Sequence, residues 1–130
     1  PGKLSALEME VIRTHAKRGY EMISRAELPD IIGRVILQHH EKCDGSGYPN
    51  GITSELICDE AKIVAVADVV EGMASHRPYR PALGIEKALE EIESKSGKLY
   101  DAKVVEACVD LFVNDHYELD DVEYKISINL

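Results

Sequence analysis

The chain predicts an all-helical bundle of about five helices. Three observations point there. Apolar residues recur at helical spacing in five separate stretches, turn formers cluster between those stretches, and strand-like alternation is confined to residues 124–130. At 130 residues, with 45% hydrophobic and 30% charged content, the chain suits one soluble domain with a real core.

The opening, PGKLSALEMEVIRTHAKRGYEMIS, reads as a loop leading into a helix. Ser5 and Glu8 have capping-box spacing. Val11, Ile12, Gly19, Met22 and Ile23 then trace an inward stripe of period near 3.6, and His15 falls on it, so His15 is expected to point inward. A second helix is expected over 30–40, after Pro29, with Ile32, Val35 and Ile36 inside. His39 and His40 continue that face at its C-terminal end. DGSGYPNG, dense in turn formers, stops it. A third helix is expected over 59–73, with Ile63, Val66, Ala67 and Val70 inside and Asp68 flanking them. The prolines of RPYRP break that pattern after Ser75. A fourth, over 85–94, carries Ala88, Leu89 and Ile92; a fifth takes Asp101 as N-cap, with Val104, Val105, Cys108, Leu111 and Phe112 inside. The end alternates Tyr124, Ile126, Ile128 and Leu130, so a short C-terminal strand is expected. Residues 1–113 read as one domain portion and 114–130 as an acidic tail or the start of a following segment.

Net charge is −9, which repels long nucleic acid. The acidic excess gathers at Asp110, Asp115, Glu118, Asp120, Asp121 and Glu123, a solvated surface. A small anion still has a place to bind where cations gather, at Arg77 and Arg80. The longest uninterrupted apolar run, from Ile63 to Ala67, is too short to span a bilayer, so no membrane partner is expected. Three cysteines, an odd number without a CxxC pair, argue for reduced thiols and a cytoplasmic location.

The chemistry-bearing residues are His15, His39, His40 and Asp68, on or beside inward faces of three helices. Imidazole and carboxylate ligands suit iron, manganese or zinc, and helical bundles build such sites from facing helices. Neighbouring residues diverge by about 100° on a helix, so at a helix end His39 and His40 would grip one ion from two sides. A lone His15 would equally be a hydrogen-bonded core residue, and Asp68 a solvated carboxylate; a histidine pair entering a core needs two sets of partners. In the loop, Gly47 permits close approach of backbone to ligand, and Tyr48 is able to stack on a base or donate to a phosphate. The alternative for that loop is a plain tight turn. Arg77 and Arg80 offer guanidinium forks that match phosphate oxygens. Cys43 reads as a small filler, and His76 and His116 as exposed residues without a role.

THAKRGYEMI, HHEKCDGSGYPNG, AKIVAVADVVEGMASHRPYRPALG, ALEEI and LYDAKVVEAC, in that order over about residues 3 to 112, resemble the HD-GYP family. These are metal-dependent cyclic di-GMP phosphodiesterases of the HD superfamily. The resemblance implies an HD-superfamily helical bundle holding two or three metal ions, often iron or manganese. His15, His39, His40 and Asp68 match family ligand positions. Gly47, Tyr48 and Pro49 of the GYP loop, with Arg77 and Arg80, match the substrate-binding segments. It further implies in-line hydrolysis of cyclic di-GMP to pGpG or GMP in bacterial signalling, and a signalling-protein partner docking at the GYP loop.

One departure bears on activity. The five histidines are followed by Ala16, His40, Glu41, Arg77 and Tyr117, so the chain has no His-Asp dipeptide. In the family that dyad lies upstream of the PGKL-like segment. The expectation is therefore a C-terminal portion of an HD-GYP domain, whose catalysis needs helices before Pro1 or supplied by a second copy in a homodimer. No catalytic residue is assigned within the chain itself. The alternative is an inactive module that binds cyclic di-GMP or a protein partner.

Overall fold

The computed structural model describes residues 5–76 and 81–119. Five helices occupy these: α1 (Ala6–Ile23), α2 (Asp30–Gln38), α3 (Asp59–Ala74), α4 (Ile85–Ser94) and α5 (Ala102–Val113). Among the described residues no strand forms beyond isolated bridges, Asp44 with Thr53 and Ser96 with Tyr100. The expected C-terminal strand, Arg77 and Arg80 lie outside the described residues.

α3 is the hub. It packs along α4 and also touches α2 and α5, while α1 lies against α2. The main core joins Val66 and Val70 of α3 to Ala88 and Ile92 of α4, Tyr100, and Val105 of α5. A smaller cluster of Ile57, Cys58 and Ala61 receives Ile31 and Val35 from α2 and Ile52 from the loop. That second cluster locks the loop between α2 and α3 to both helices. The α1–α2 contact is close because Gly19 lacks a side chain: a Cβ there would come within 2.9 Å of Ile36 Cγ2.

Helix ends follow local chemistry. Asp101 caps α5, its Oδ1 accepting from the N–H groups of Lys103 (3.0 Å) and Val104 (3.3 Å). α3 has no side-chain cap; the residue before it is tied to the end of α2, where Gln38 Oε1 accepts from Cys58 N–H at 2.8 Å. α1 opens with Met9 N–H donating to Ser5 O at 2.9 Å; the Glu8 side chain of the expected capping box lies outside the described residues.

Several expectations shift. α2 ends at Gln38, two residues earlier than expected, with His39 as its C-cap. The stripe on α1 divides: Ile12, Gly19 and Ile23 lie partly buried, around a fully buried Ala16, whereas Leu7 (81% exposed), Val11 and Met22 (75% exposed) face solvent. His15 belongs to the exposed side. On α3, Ala61 and Ala65 join Val66 and Val70 inside, while Ile63 (55% exposed) and Ala67 point out. Leu111 of α5 is also exposed. On α3 the reason is that apolar residues run around most of the helix, which gives no periodic cue to which sector a neighbour covers.

Candidate metal centre

Three histidines converge. His15 comes from the middle of α1, His39 from the C-cap of α2, and His40 from the turn that follows. One ring nitrogen from each lies within 4.8 Å of the others. His40 Nε2 stands 3.0 Å from His15 Nε2, and the His39 and His40 rings lie 4.0 Å apart between centroids. Adjacent residues manage this because α2 stops at Gln38. His39 keeps helical backbone while His40 leaves the helix, so their rings fold toward each other rather than diverging.

The backbone selects the nitrogens that face inward. His15 Nδ1 pairs with Ile12 O. His39 Nδ1 pairs with Val35 O at 3.1 Å and Ile36 O at 2.8 Å. A carbonyl oxygen only accepts, so both Nδ1 atoms donate, and in the neutral ring it is Nε2 that keeps the lone pair. Such outer hydrogen bonds orient metal-binding histidines. Burial pushes His40 down to about 4, and the neighbouring His39 and His15 push in the same direction. His40 is thus neutral near pH 7, the form a metal requires. The three residues fit a divalent cation bound through imidazole nitrogen.

Asp68, on the exposed side of α3, is not among the three converging groups. Its charge nonetheless reaches the site, raising the pKa of His40, Lys42 and Tyr48 against or along with burial. The structure therefore assembles the trio and places the carboxylate as a neighbour of it.

The GYP loop closes over His40. The Tyr48 ring stacks on the His40 ring, centroids 4.9 Å apart and planes 24° from parallel, and meets His15 edge-on at 6.4 Å. One face of the Tyr48 ring is consequently taken by His40. Burial, then Asp68, raises the Tyr48 pKa, so the phenol stays protonated and can donate. Tyr48 N–H donates to His40 O at 3.2 Å. Gly47 makes this approach possible: a Cβ there would fall 2.4 Å from Lys42 N and 2.5 Å from both Glu41 Cα and His40 O. Pro49 follows in a cis peptide and is half-buried. His76 and His116 are exposed, as expected.

Two residues escaped the sequence reading. Glu41 is buried (3% exposed), and its Oε1 accepts from Asn50 N–H at 2.7 Å while Oε2 accepts from Ile52 N–H at 3.2 Å. Lys42 is half-buried with Nζ 4.6 Å above the Tyr100 ring, and burial lowers its pKa. A signal for Glu41 existed: a tight loop has backbone N–H groups to satisfy, and a carboxylate at its stem is a ready acceptor.

A helical bundle with converging imidazoles defines a class of metal-site proteins. Residues 1–104 match the family described as HD domain, and the chain belongs to that family; its motifs place it in the HD-GYP group. It is 41% identical over 124 residues to the cyclic di-GMP phosphodiesterase response regulator RpfG of Xanthomonas campestris, covering 94% of this chain and 32% of that protein. It is 43% identical over 113 residues to a cyclic di-GMP phosphodiesterase of Thermotoga maritima, covering 85% of this chain and 31% of that one. The crystal structure of a cyclic GMP-AMP specific phosphodiesterase of Vibrio cholerae superposes with a TM-score of 0.69 at 26% identity, over 88% of this chain and 26% of that one. The chain thus spans about a third of the length of these curated relatives. Among the described residues no helix is long and apolar enough to cross a membrane.

Proposed function

We propose that this chain is part of a cytoplasmic, metal-dependent phosphodiesterase that hydrolyses cyclic di-GMP to pGpG or GMP in bacterial signalling. The observation that carries the reading is the convergence of His15, His39 and His40 under Tyr48, in a chain akin to proteins named as cyclic di-GMP phosphodiesterases. His15, His39 and His40 would hold the metal, iron or manganese, with Asp68 as a further ligand. A divalent ion there supplies Lewis-acid chemistry, lowering the pKa of water and neutralising phosphoryl charge. The backbone carbonyls of Ile12, Val35 and Ile36 keep the Nε2 lone pairs inward. The Tyr48 hydroxyl donates to a phosphate oxygen, Gly47 and Pro49 shape the loop against the dinucleotide, and Arg77 and Arg80 neutralise phosphate charge.

A second reading is a non-catalytic module that binds cyclic di-GMP or a signalling protein through the GYP loop. It draws on the GYP loop alone, whose shape is held by the hydrogen bonds of Glu41 with the Asn50 and Ile52 amides. Metal analysis together with a cyclic di-GMP hydrolysis assay in Mn²⁺ or Fe²⁺ separates the two. Linear product from the full-length protein, lost on His39→Ala, supports the enzyme. Binding of cyclic di-GMP without product from the full-length protein supports the module.

A further inference from the structure

The loop over His40 is held by one buried carboxylate. Glu41 follows His40 directly, and its two oxygens bind the N–H groups of Asn50 and Ile52, drawing the far side of the loop back onto its stem. Between the Glu41 stem and those anchors lies the close packing of Gly47 on the backbone of residues 40–42 and the hydrogen bond from Tyr48 N–H to His40 O. The Tyr48 ring ends stacked on the His40 imidazole. A stacked aromatic partner restricts ring rotation, and His40 needs it more than its neighbours do. His15 and His39 are fixed by backbone carbonyls, whereas the ring bond of His40 is to the His15 nitrogen itself, which a metal would displace.

We infer that Glu41 is a positioning residue for the histidine centre: by pinning the Asn50 and Ile52 amides it seats Tyr48 on His40 and so fixes the direction of the third imidazole. This rests on the reading of the trio as a metal site. Loss of a hydrogen-bond partner of a metal ligand weakens binding about 10–100-fold; Glu41 acts one contact further out, through Tyr48, so the lower end of that range is expected.

The test compares wild type, Glu41→Ala and Glu41→Gln in the full chain, with Gln38→Ala as a control for lost stability, since the Gln38 side chain bonds Cys58 N–H and Leu56 O rather than the Asn50 and Ile52 amides. Readouts are Co²⁺ affinity from its visible absorption, amide exchange at Asn50 and Ile52, and the ring-current shift of the His40 Hδ2 proton beneath Tyr48. Glu41→Ala is expected to weaken Co²⁺ about 10-fold, speed exchange at both amides and move the His40 shift toward its free value. Glu41→Gln keeps one acceptor oxygen but sets an NH₂ group against the second amide, so it falls between the two. Gln38→Ala keeps the wild-type shift and Co²⁺ affinity. An unchanged His40 shift in Glu41→Ala overturns the inference, as does an equal loss of Co²⁺ affinity in Gln38→Ala. If wild type takes up no Co²⁺, the metal reading fails, and the His40 shift alone decides whether Glu41 positions that ring.

Discussion

At His40, burial and two neighbouring imidazoles all oppose a positive charge, which is why its pKa falls from 6.5 to about 4. Between those values the unfolded chain takes up a proton that the folded chain refuses. The stability contributed by neutral His40 is therefore complete above about pH 6.5 and is lost as pH falls toward about 4. Urea unfolding across that window should show a steeper acid loss for wild type than for His40→Gln; parallel curves would contradict the assigned shift. Gly47 is the other residue with little freedom. Gly47→Ala places a methyl group against rigid backbone, so a loss of about 2–3 kcal/mol is expected in urea denaturation, with the Tyr48–His40 stacking broken. Neither feature was readable beforehand. The glycine was identifiable as a turn former, but the backbone it faces is set by where the loop folds back.

Among the elements, α5 depends on its cap and α4 on its buried face. Asp101→Ala removes two hydrogen bonds to first-turn helix N–H groups and should cost about 1 kcal/mol, measured by chemical denaturation. Ile92 is fully buried in the main core, so Ile92→Ala should cost about 2–5 kcal/mol by the same measurement. A smaller loss there would mean that α4 packs less tightly against α3 than described. Both elements were legible from sequence, because Asp101 precedes an apolar run in the manner of an N-cap and Ala88, Leu89 and Ile92 repeat at helical spacing. α1 and α3 were legible as helices but not in orientation. Val11, Met22, Ile63 and Ala67 satisfy the apolar pattern and yet face solvent.

Across the whole molecule, α1, α2 and the GYP loop meet at the histidines, so a bound ion cross-links segments far apart in sequence. A cation that binds only the folded chain should raise its stability by about 2.7 kcal/mol at a hundredfold excess over Kd. Thermal melts with Mn²⁺, then with chelator, should show a reversible rise in Tm, absent in His39→Ala. No rise in wild type would count against the centre.

The sequence by itself determined the five helices, the Asp101 cap of α5, the turn-rich loop, and the histidines that make up the candidate centre. These depend on local periodicity and on side-chain chemistry, which a one-dimensional pattern carries. Tertiary structure decided which nitrogens face one another, that α2 stops at Gln38 so that His39 and His40 fold together, and that Tyr48 lies on His40. It also decided that Glu41 is buried at the loop stem. Each of these depends on how α1 and the loop pack against α2, a relation between segments that local spacing does not encode.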